Sequence, residues 1–166
     1  GDRGVVTIFC ATTNRGKLNE FCLAAERCGI RGLAVEPLRG LRLIPPAPES
    51  GETFRENAFQ KALYYGAHTH AYLFVDDSGL SVDALGGAPG VHSARYAGPS
   101  ATDEDNNRLL LERMRGVANR RARFVCAIGL TLAGRYLETF EGVVEGELLE
   151  SPRGSNGCGY DPLFYY

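Results

Sequence analysis

The sequence predicts an α/β protein built on a mixed β-sheet, and three observations lead to this fold class. An apolar, β-branched run at residues 5–11 precedes a polar loop and then a segment with helical spacing. A second helical segment leads into a strand-like run at residues 73–75. Later, residues 122–133 and 136–149 are strand-like runs separated by a short turn. Strands that first alternate with helices and then form hairpins are typical of a mixed sheet.

Three segments have the spacing and end signals of helices. The first, NEFCLAAERC, together with the preceding Leu18, places Leu18, Phe21, Cys22 and Ala25 on one face, and Gly29 follows as its predicted end. The second, TFRENAFQKALYYGAH, starts at Thr53 with a glutamate three residues later, which is a capping-box pattern. The third covers residues 103–115 and carries acids at its start and arginines at its end, as the helix dipole favours.

The segments between these helices are predicted as loops and short strands. Residues 37–52 hold four of the eight prolines and are expected to form a loop. The strand at residues 73–75 is expected to end at Asp76-Asp77, SGL to turn the chain, and SVDAL to form a second short strand. GGAPG is a turn cluster, SPRGSNGCGYDP a loop, and LFYY the start of a last strand.

Composition narrows the possible classes of function. The 166 residues suit one domain, with 44% hydrophobic and 23% charged residues, and the net charge of −2 provides no basic field for nucleic acid. Five cysteines without a C-x-x-C pair suit reduced thiols in the cytosol. We find no run long enough to span a membrane and no secretory leader, so the expectation is a cytoplasmic protein.

The two lysines stand out, because every other basic side chain apart from the three histidines is an arginine. Lysine is a compact point charge, whereas arginine is a planar fork, so the two are not interchangeable. Lys17 belongs to the polar loop TTNRGK between the first strand and the first helix, which is a favourable place for an anion. The alternative is a plain helix start capped by Asn14. Lys61 and Asn57 are one helical turn apart.

Three acids follow the strand at residues 73–75. Asp76 and Asp77 come directly after apolar residues, where a carboxylate needs a metal ion, a cation or N–H donors to compensate it. For Asp77 we favour a functional role over a turn residue. For Asp76 the two interpretations are equally supported. Asp83 precedes GGAPG, and for it a structural role in the turn is favoured.

Other polar residues are weaker candidates. Glu49 lies in the proline-rich loop and could reach a metal ion, although most loop glutamates are only solvated. Arg95 and Arg153 are candidate anion contacts or plain surface charges. The histidines lack metal-ligand spacing. An anion loop together with acids for Mg²⁺ predicts a Mg²⁺-dependent phosphate-ester or anhydride hydrolase in which a carboxylate activates water.

Four segments resemble the inosine triphosphate pyrophosphatases of the Ham1/RdgB type. They are ATTNRGKLNEF, ESGETFRENAFQKA, DDSGLSVDALGGAPGVHSARYAG and FEGVVEGELLESPRGSNGCGYDPLF, in the order of the family's motifs. The resemblance implies a Maf/Ham1-like fold with two lobes and a cleft. It also implies a homodimer that uses Mg²⁺ to convert ITP, dITP or XTP to the monophosphate and pyrophosphate. The implied role is to clear deaminated purines from the nucleotide pool.

The resemblance also assigns roles to individual residues. It makes Asp77 the general base and a metal contact, with Glu49 and Asp76 as further metal acids. It places Lys61 on the phosphates and Ser78 on the substrate. The triphosphate loop corresponds to Thr12, Thr13, Asn14, Arg15, Gly16 and Lys17, and the base pocket to the loop residues Cys158, Gly159, Tyr160 and Asp161, the last facing the purine.

The chain departs from the family pattern in two places. Cys158 replaces a phenylalanine expected to stack on the purine, and such stacking contributes roughly 1–3 kcal/mol. The chain also stops at Tyr166, before a lysine and an S-H-R motif. We therefore expect one two-lobed catalytic domain over residues 1–166 without the family's C-terminal segment, and either reduced base selectivity or a longer natural chain.

Two other functions compete with this interpretation. A Maf-like pyrophosphatase for dTTP or UTP would share the architecture, but the DDSGL and GYDP segments argue against it. A nucleotide-binding module without catalysis would not need a general base at Asp77, nor Glu49 and Lys61 beside it.

Overall fold

A computed structural model describes residues 4–12, 14–27, 32–154 and 159–166, and in them one sheet of six strands and three α-helices. The strands are β1 Val6–Cys10, β2 Leu33–Pro37, β3 Tyr72–Val82, β4 Arg121–Leu132, β5 Arg135–Leu148 and β6 Phe164–Tyr165. The helices are α1 Arg15–Arg27, α2 Phe54–Gly66 and α3 Asp103–Arg113. None of the described helices is long and apolar enough to cross a membrane.

The sheet is mixed, with strand order β2-β1-β3-β4-β5-β6. Strand β1 pairs in parallel with β2, where Val6 lies opposite Leu33, and with β3, where Ile8 lies opposite Tyr72. Strands β5 and β6 are antiparallel. Parallel neighbours require crossover connections, and α1 and α2 are the helices of those crossovers. The predicted α/β class with a mixed sheet flanked by helices is confirmed.

The chain divides into two compact units, each with its own core. The first unit comprises residues 1–50, 55–76 and 128–140, and the second comprises residues 51–54, 77–127 and 141–166. The first core is formed by Leu38, Ala62, Leu73 and Val75. The second contains Leu80, Val82, Leu110, Met114, Ala122, Leu148, Tyr160, Leu163 and Phe164. Apolar burial of this kind is the main stabilising term in each unit.

Side chains at two helix starts satisfy free backbone N–H groups. The Asn14 side-chain oxygen accepts the N–H of Lys17 at 3.2 Å, so the predicted cap of α1 is present. At α3 the Thr102 hydroxyl accepts the N–H of Asp105, whose carboxylate accepts the Thr102 N–H in return. The helix predicted from Thr53 begins at Phe54. The predicted helix end at Gly29 lies outside the described residues.

The prediction of two short strands around SGL is wrong, because β3 is continuous from Tyr72 to Val82. Ser78 and Gly79 suggest a turn by composition, but Gly79 is needed for close packing. A Cβ added at Gly79 would lie 2.7 Å from the Gly90 carbonyl oxygen and 2.9 Å from the Phe54 ring. The glycine therefore lets a neighbouring segment approach the strand, which is a recognised use of glycine in sheets.

Strand β2 was not predicted. Residues 33–37, LAVEP, contain one β-branched residue and end in proline, so their intrinsic strand preference is weak. Their strand conformation comes from the five-residue parallel register with β1. Two other predictions agree with the structure. The predicted loop at residues 37–52 contains only a short 3₁₀ turn, Leu41–Leu43. The strands β4 and β5 lie where they were expected.

Substituting Gly79 by alanine should destabilise the protein, because the added methyl group meets the Gly90 backbone, which cannot rotate away. We expect a loss of about 1–3 kcal/mol in the free energy of unfolding. Urea unfolding followed by circular dichroism measures it. Gly142→Ala in β5 is the matched control, since its Cβ would meet nothing within 4 Å. Equal stabilities of the two variants would contradict this account of Gly79.

Candidate active site

The predicted anion loop joins the end of β1 to the start of α1. The Thr12 hydroxyl accepts the N–H of Asn14 at 3.2 Å, and Asn14 in turn caps the helix. Arg15 and Gly16 are the first residues of α1, so their N–H groups belong to its first turn. Thr13 and the side chain of Arg15 lie outside the described residues. The loop thus presents a helix start to any anion bound there.

Lys17 connects this helix start to strand β3. Its Nζ lies 2.7 Å from Oδ2 of Asp76, whose side chain is only 6% exposed. A buried carboxylate is costly unless it is paired, and here the partner is one of the chain's two lysines. Asp76, for which the sequence supported a functional and a structural role equally, is thus paired with a lysine of the predicted anion loop.

Lys61 reaches the same place from helix α2. Its Nζ donates to the backbone carbonyl oxygen of Asp76 at 2.8 Å and lies 3.1 Å from Oε1 of Glu49. Helix α2 is anchored close to the sheet, since a Cβ on Gly129 of β4 would be 2.8 Å from the Ala58 carbonyl oxygen. This close approach holds the lysine in place. Both lysines and two of the predicted acids thus form one polar cluster in the first unit.

Cys10, at the end of β1, is not a candidate nucleophile. Burial, together with the negative charge of Asp76, raises the pKa of its thiol to about 12, although the positive charge of Lys17 opposes the shift in part. The thiol therefore stays protonated at neutral pH. Reactive cysteines have the opposite property, a lowered pKa.

A cavity of about 510 Å³ opens beside Thr12 in the first unit. Its walls are mixed: they combine the apolar Leu18, Pro37, Leu38 and Leu41 with the polar Thr12 and Asn19 and the charged Arg42. The cavity leaves room for a ligand next to the start of α1.

In the second unit, Asp77 is buried, at 8% exposure, and precedes Ser78 on β3. The neighbouring Ser93 organises this region. Its hydroxyl accepts the Leu80 N–H at 2.9 Å and donates to the Gly90 carbonyl oxygen at 2.6 Å.

Arg95 ends the 3₁₀ turn that contains Ser93. Asp83 starts another 3₁₀ turn and lies 3.5 Å from Arg123, in agreement with the structural role favoured for it.

The loop predicted to bind the base is described from Gly159 onward, and Cys158 lies outside the described residues. Gly159 has a positive φ of 56°, and Asp161 starts the 3₁₀ turn Asp161–Leu163. Between them, Tyr160 is buried and donates its hydroxyl proton to the Ser93 carbonyl oxygen at 2.7 Å. Burial raises the pKa of Tyr160 above its usual range, which keeps it a donor.

Helix α3 also contacts this loop, which the sequence did not predict. Asp103 accepts the Gly159 N–H at 3.1 Å, and the Asn107 amide donates to the Gly159 carbonyl oxygen at 2.9 Å. These pairs are 56 and 52 residues apart in sequence. Ser93 was likewise missed, although it stands inside the quoted motif HSARYAG. For Asp103 and Asn107, the one feature of the sequence that pointed to a shared contact was their spacing of one helical turn.

The predicted metal acids are distributed over both units. Asp76 and Glu49 belong to the first unit and Asp77 to the second. Among the described residues, no group of three or more acidic, histidine or cysteine side chains is gathered closely enough to form a metal site by itself. The carboxylates present suit a hard cation that takes only one or two protein ligands and completes its shell with water or phosphate oxygens.

Comparison with known proteins identifies the family. The model of the Ham1 family matches residues 8–166. A dITP/XTP pyrophosphatase of Syntrophobacter fumaroxidans is 47% identical over 159 residues, which cover 96% of this chain and 67% of that protein. Its counterpart in Bacillus licheniformis is 46% identical, over 95% of this chain and 80% of that protein.

Solved structures lead to the same family. The Staphylococcus aureus Ham1 protein has a TM-score of 0.81 and 38% identity, covering 96% of this chain and 80% of that one. A HAM1 protein from Coxiella burnetii has a TM-score of 0.82 and 38% identity, covering 96% and 81%. The motifs, the fold and these relatives agree: the chain belongs to the Ham1 family.

Proposed function

We propose that this chain hydrolyses non-standard purine nucleoside triphosphates, namely ITP, dITP and XTP, to the monophosphate and pyrophosphate, and so clears them from the nucleotide pool. The observation that carries the proposal is the cluster in which both lysines contact Asp76 beside the start of α1. Two cations next to a helix N-terminus are suited to a polyphosphate. The relatives named dITP/XTP pyrophosphatase support the choice of substrate.

The phosphates bind to groups of the first unit in this proposal. The N–H groups at the start of α1, with Thr12, Thr13, Asn14, Arg15 and Gly16 around them, hold phosphate oxygens. Lys17 and Lys61 neutralise the negative charge. Both ammonium groups already lie within 3.1 Å of carboxylate oxygens, so their positions are fixed before substrate arrives. Such fixed donors stabilise charge that develops on the phosphates during bond cleavage.

We assign the metal to carboxylates of this chain, with Asp77, Asp76 and Glu49 as the candidate ligands, of which one or two would bind it directly. When bound, Mg²⁺ supplies charge neutralisation and polarises the phosphoryl oxygens. Neighbouring residues of a regular strand project to opposite faces, so Asp76 and Asp77 on β3 are suited to different tasks. Asp76 faces the lysine cluster, and Asp77 takes the proton from the attacking water. The water oxygen bonds to the α-phosphorus while the α–β anhydride bond breaks, which gives the nucleoside monophosphate and pyrophosphate.

Residues of the second unit bind the nucleoside in this proposal. Asp161 faces the purine, and Cys158, Gly159 and Tyr160 shape the base pocket around it. Ser78 and Arg95 contact the substrate. The anchoring of Tyr160 through Ser93 supports this assignment, because a base can be discriminated only by groups that are held still.

The location and assembly of the protein are further parts of the proposal. A cytoplasmic location is supported by Cys10 and Cys22, which form no disulfide, and by the proposed nucleotide substrate. A homodimer is supported by apolar side chains on α2 and β5 of the first unit that are 40–54% exposed: Phe59, Leu63, Tyr136, Leu137 and Phe140. Exposed aromatic residues in such numbers are typical of protein interfaces.

Asp77→Asn tests the general base. The amide cannot accept the proton from water, so we expect pyrophosphate release from dITP with Mg²⁺ to fall at least about 100-fold, with EDTA abolishing it in the unaltered protein. Asp83→Asn removes another carboxylate of this region and should keep the activity. Undiminished release by Asp77→Asn would exclude it as the base. Absence of release from every triphosphate, with ITP still bound, would favour a binding module.

Lys61→Met tests the phosphate cluster. Loss of a charged donor should raise the KM for dITP roughly ten- to a hundredfold, because a hydrogen bond to a charged group contributes about 1.5–3 kcal/mol. Steady-state kinetics with XTP and dITP measure the change. Arg108→Met removes the same charge from an exposed side chain of α3 and should leave KM unaltered. An unchanged KM in Lys61→Met would remove Lys61 from the phosphate site.

Phe140→Glu tests the dimer. A carboxylate in the middle of an apolar interface remains unpaired and desolvated, so we expect the mass measured by light scattering after size exclusion to fall from two chains to one. Leu43→Glu is the control, since Leu43 is an exposed apolar residue, at 89%, that lies outside α2 and β5. A monomeric unaltered protein, or a dimeric Phe140→Glu variant, would contradict this interface.

A further inference from the structure

We propose that Asp103 and Asn107 of helix α3 are positioning residues for base selectivity, because together they hold both polar groups of Gly159. The inference rests on the proposed function, since it concerns how the loop after Cys158 distinguishes one purine from another. Neither side chain belongs to the residues assigned above to phosphate, metal or base.

The geometry is that of a clamp on one residue. Asp103 Oδ2 accepts the Gly159 N–H at 3.1 Å, and Asn107 Nδ2 donates to the Gly159 carbonyl oxygen at 2.9 Å. The two side chains are four residues apart on α3, so they project from the same face of the helix. Gly159 adopts a left-handed φ of 56°. Glycine reaches this conformation easily, but because it has no side chain it is not restricted to it. The clamp supplies that restraint.

The described residues that follow Gly159 are held by contacts of their own, so the helix α3 contacts act mainly on Gly159. Tyr160 is buried in the second core together with Leu110 and Met114 of the same helix region. Its hydroxyl is tied to the Ser93 carbonyl oxygen at 2.7 Å. Asp161 then starts a 3₁₀ turn whose end, Leu163, is also buried. The segment from Tyr160 onward is therefore anchored, and the orientation of the Gly159 peptide groups depends on α3.

The helix is a rigid support for this task. Its start is capped by the reciprocal hydrogen bonds of Thr102 and Asp105, in the same turn as Asp103. The side chain of Asn106, between the two clamp residues in sequence, is itself buried and bonded to the Ala97 N–H and the Ala94 carbonyl oxygen. A binding group held by a second layer of fixed side chains is positioned more accurately than one on a free loop.

Loss of the clamp should reduce the selectivity for the base while leaving the phosphate chemistry intact. For Asp103→Ala and Asn107→Ala we expect the ratio of kcat/KM for dITP over dGTP to fall about five- to tenfold, the effect of losing one hydrogen bond to a fixed group. The KM for dITP should rise, and kcat should change little, because the phosphate-binding groups lie on other elements.

The control variants separate positioning from folding. Glu104→Ala removes the same charge from the same helical turn and should leave the ratio unchanged. Asp103→Asn keeps an oxygen acceptor for the Gly159 N–H and should restore most of the selectivity. A variant that merely unfolds loses activity toward all nucleotides in proportion, so its ratio stays constant. Unchanged ratios in both alanine variants would overturn the inference.

A measurement without substrate tests the clamp independently of the proposed function. Amide hydrogen exchange followed by NMR should show faster exchange of the Gly159 N–H in Asp103→Ala than in Glu104→Ala or the unaltered protein. Equal exchange rates would exclude the clamp, whatever the activity. If the unaltered protein releases no pyrophosphate from any triphosphate but the exchange result is as expected, the proposed function fails and the clamp remains only as a structural contact, which overturns its role in selectivity.

Discussion

The burial of the Asp76 carboxylate is the constraint on which the first unit depends. A carboxylate at 6% exposure on a strand needs a cation at close range, and Lys17 provides one at 2.7 Å. That requirement fixes α1 against β3, since the lysine lies in the first turn of the helix. The neighbouring carbonyl oxygen engages Lys61, which draws α2 to the same point and brings Glu49 with it. The polar cluster around Asp76 thus contains residues from two helices, a loop and a strand.

Much of the architecture could be predicted, because the segments concerned are specified by their own residues. The β-branched run of β1, the acidic start and basic end of α3, and the proline-rich loop at residues 37–52 all lie where local chemistry places them. The failures are tertiary in origin. LAVEP becomes β2 through its pairing with β1, and the serine and glycine after Asp77 stay in β3 because Gly79 is required for close packing.

The residues of the candidate site likewise fall into those that could be predicted from the sequence and those that could not. Lys17 and Lys61 could be selected from the sequence, because they are the only lysines and each lies in a motif. Asp103 and Asn107 could not, since their contact with Gly159 joins residues more than fifty positions apart and involves common surface residue types. Residues that touch a ligand leave a local pattern in the sequence, whereas residues that position them act through the fold. The second kind is accessible only from coordinates.

This division bears on how a nucleotide pyrophosphatase of this family acquires its selectivity. The proposed function places the phosphates, which are common to all triphosphates, on the lysine cluster, so that cluster would neither favour nor reject a particular purine. In the same proposal the base is read by the loop around Gly159, where this chain has Cys158 at the position for which the resemblance implies a phenylalanine. A small residue at that position would contribute little stacking, so selectivity would depend more on backbone groups and on Asp161, and therefore on how accurately they are placed. With Cys158 at this position, base selectivity would therefore depend more on the hydrogen bonds that fix the Gly159 peptide groups than it would if a phenylalanine stacked on the purine.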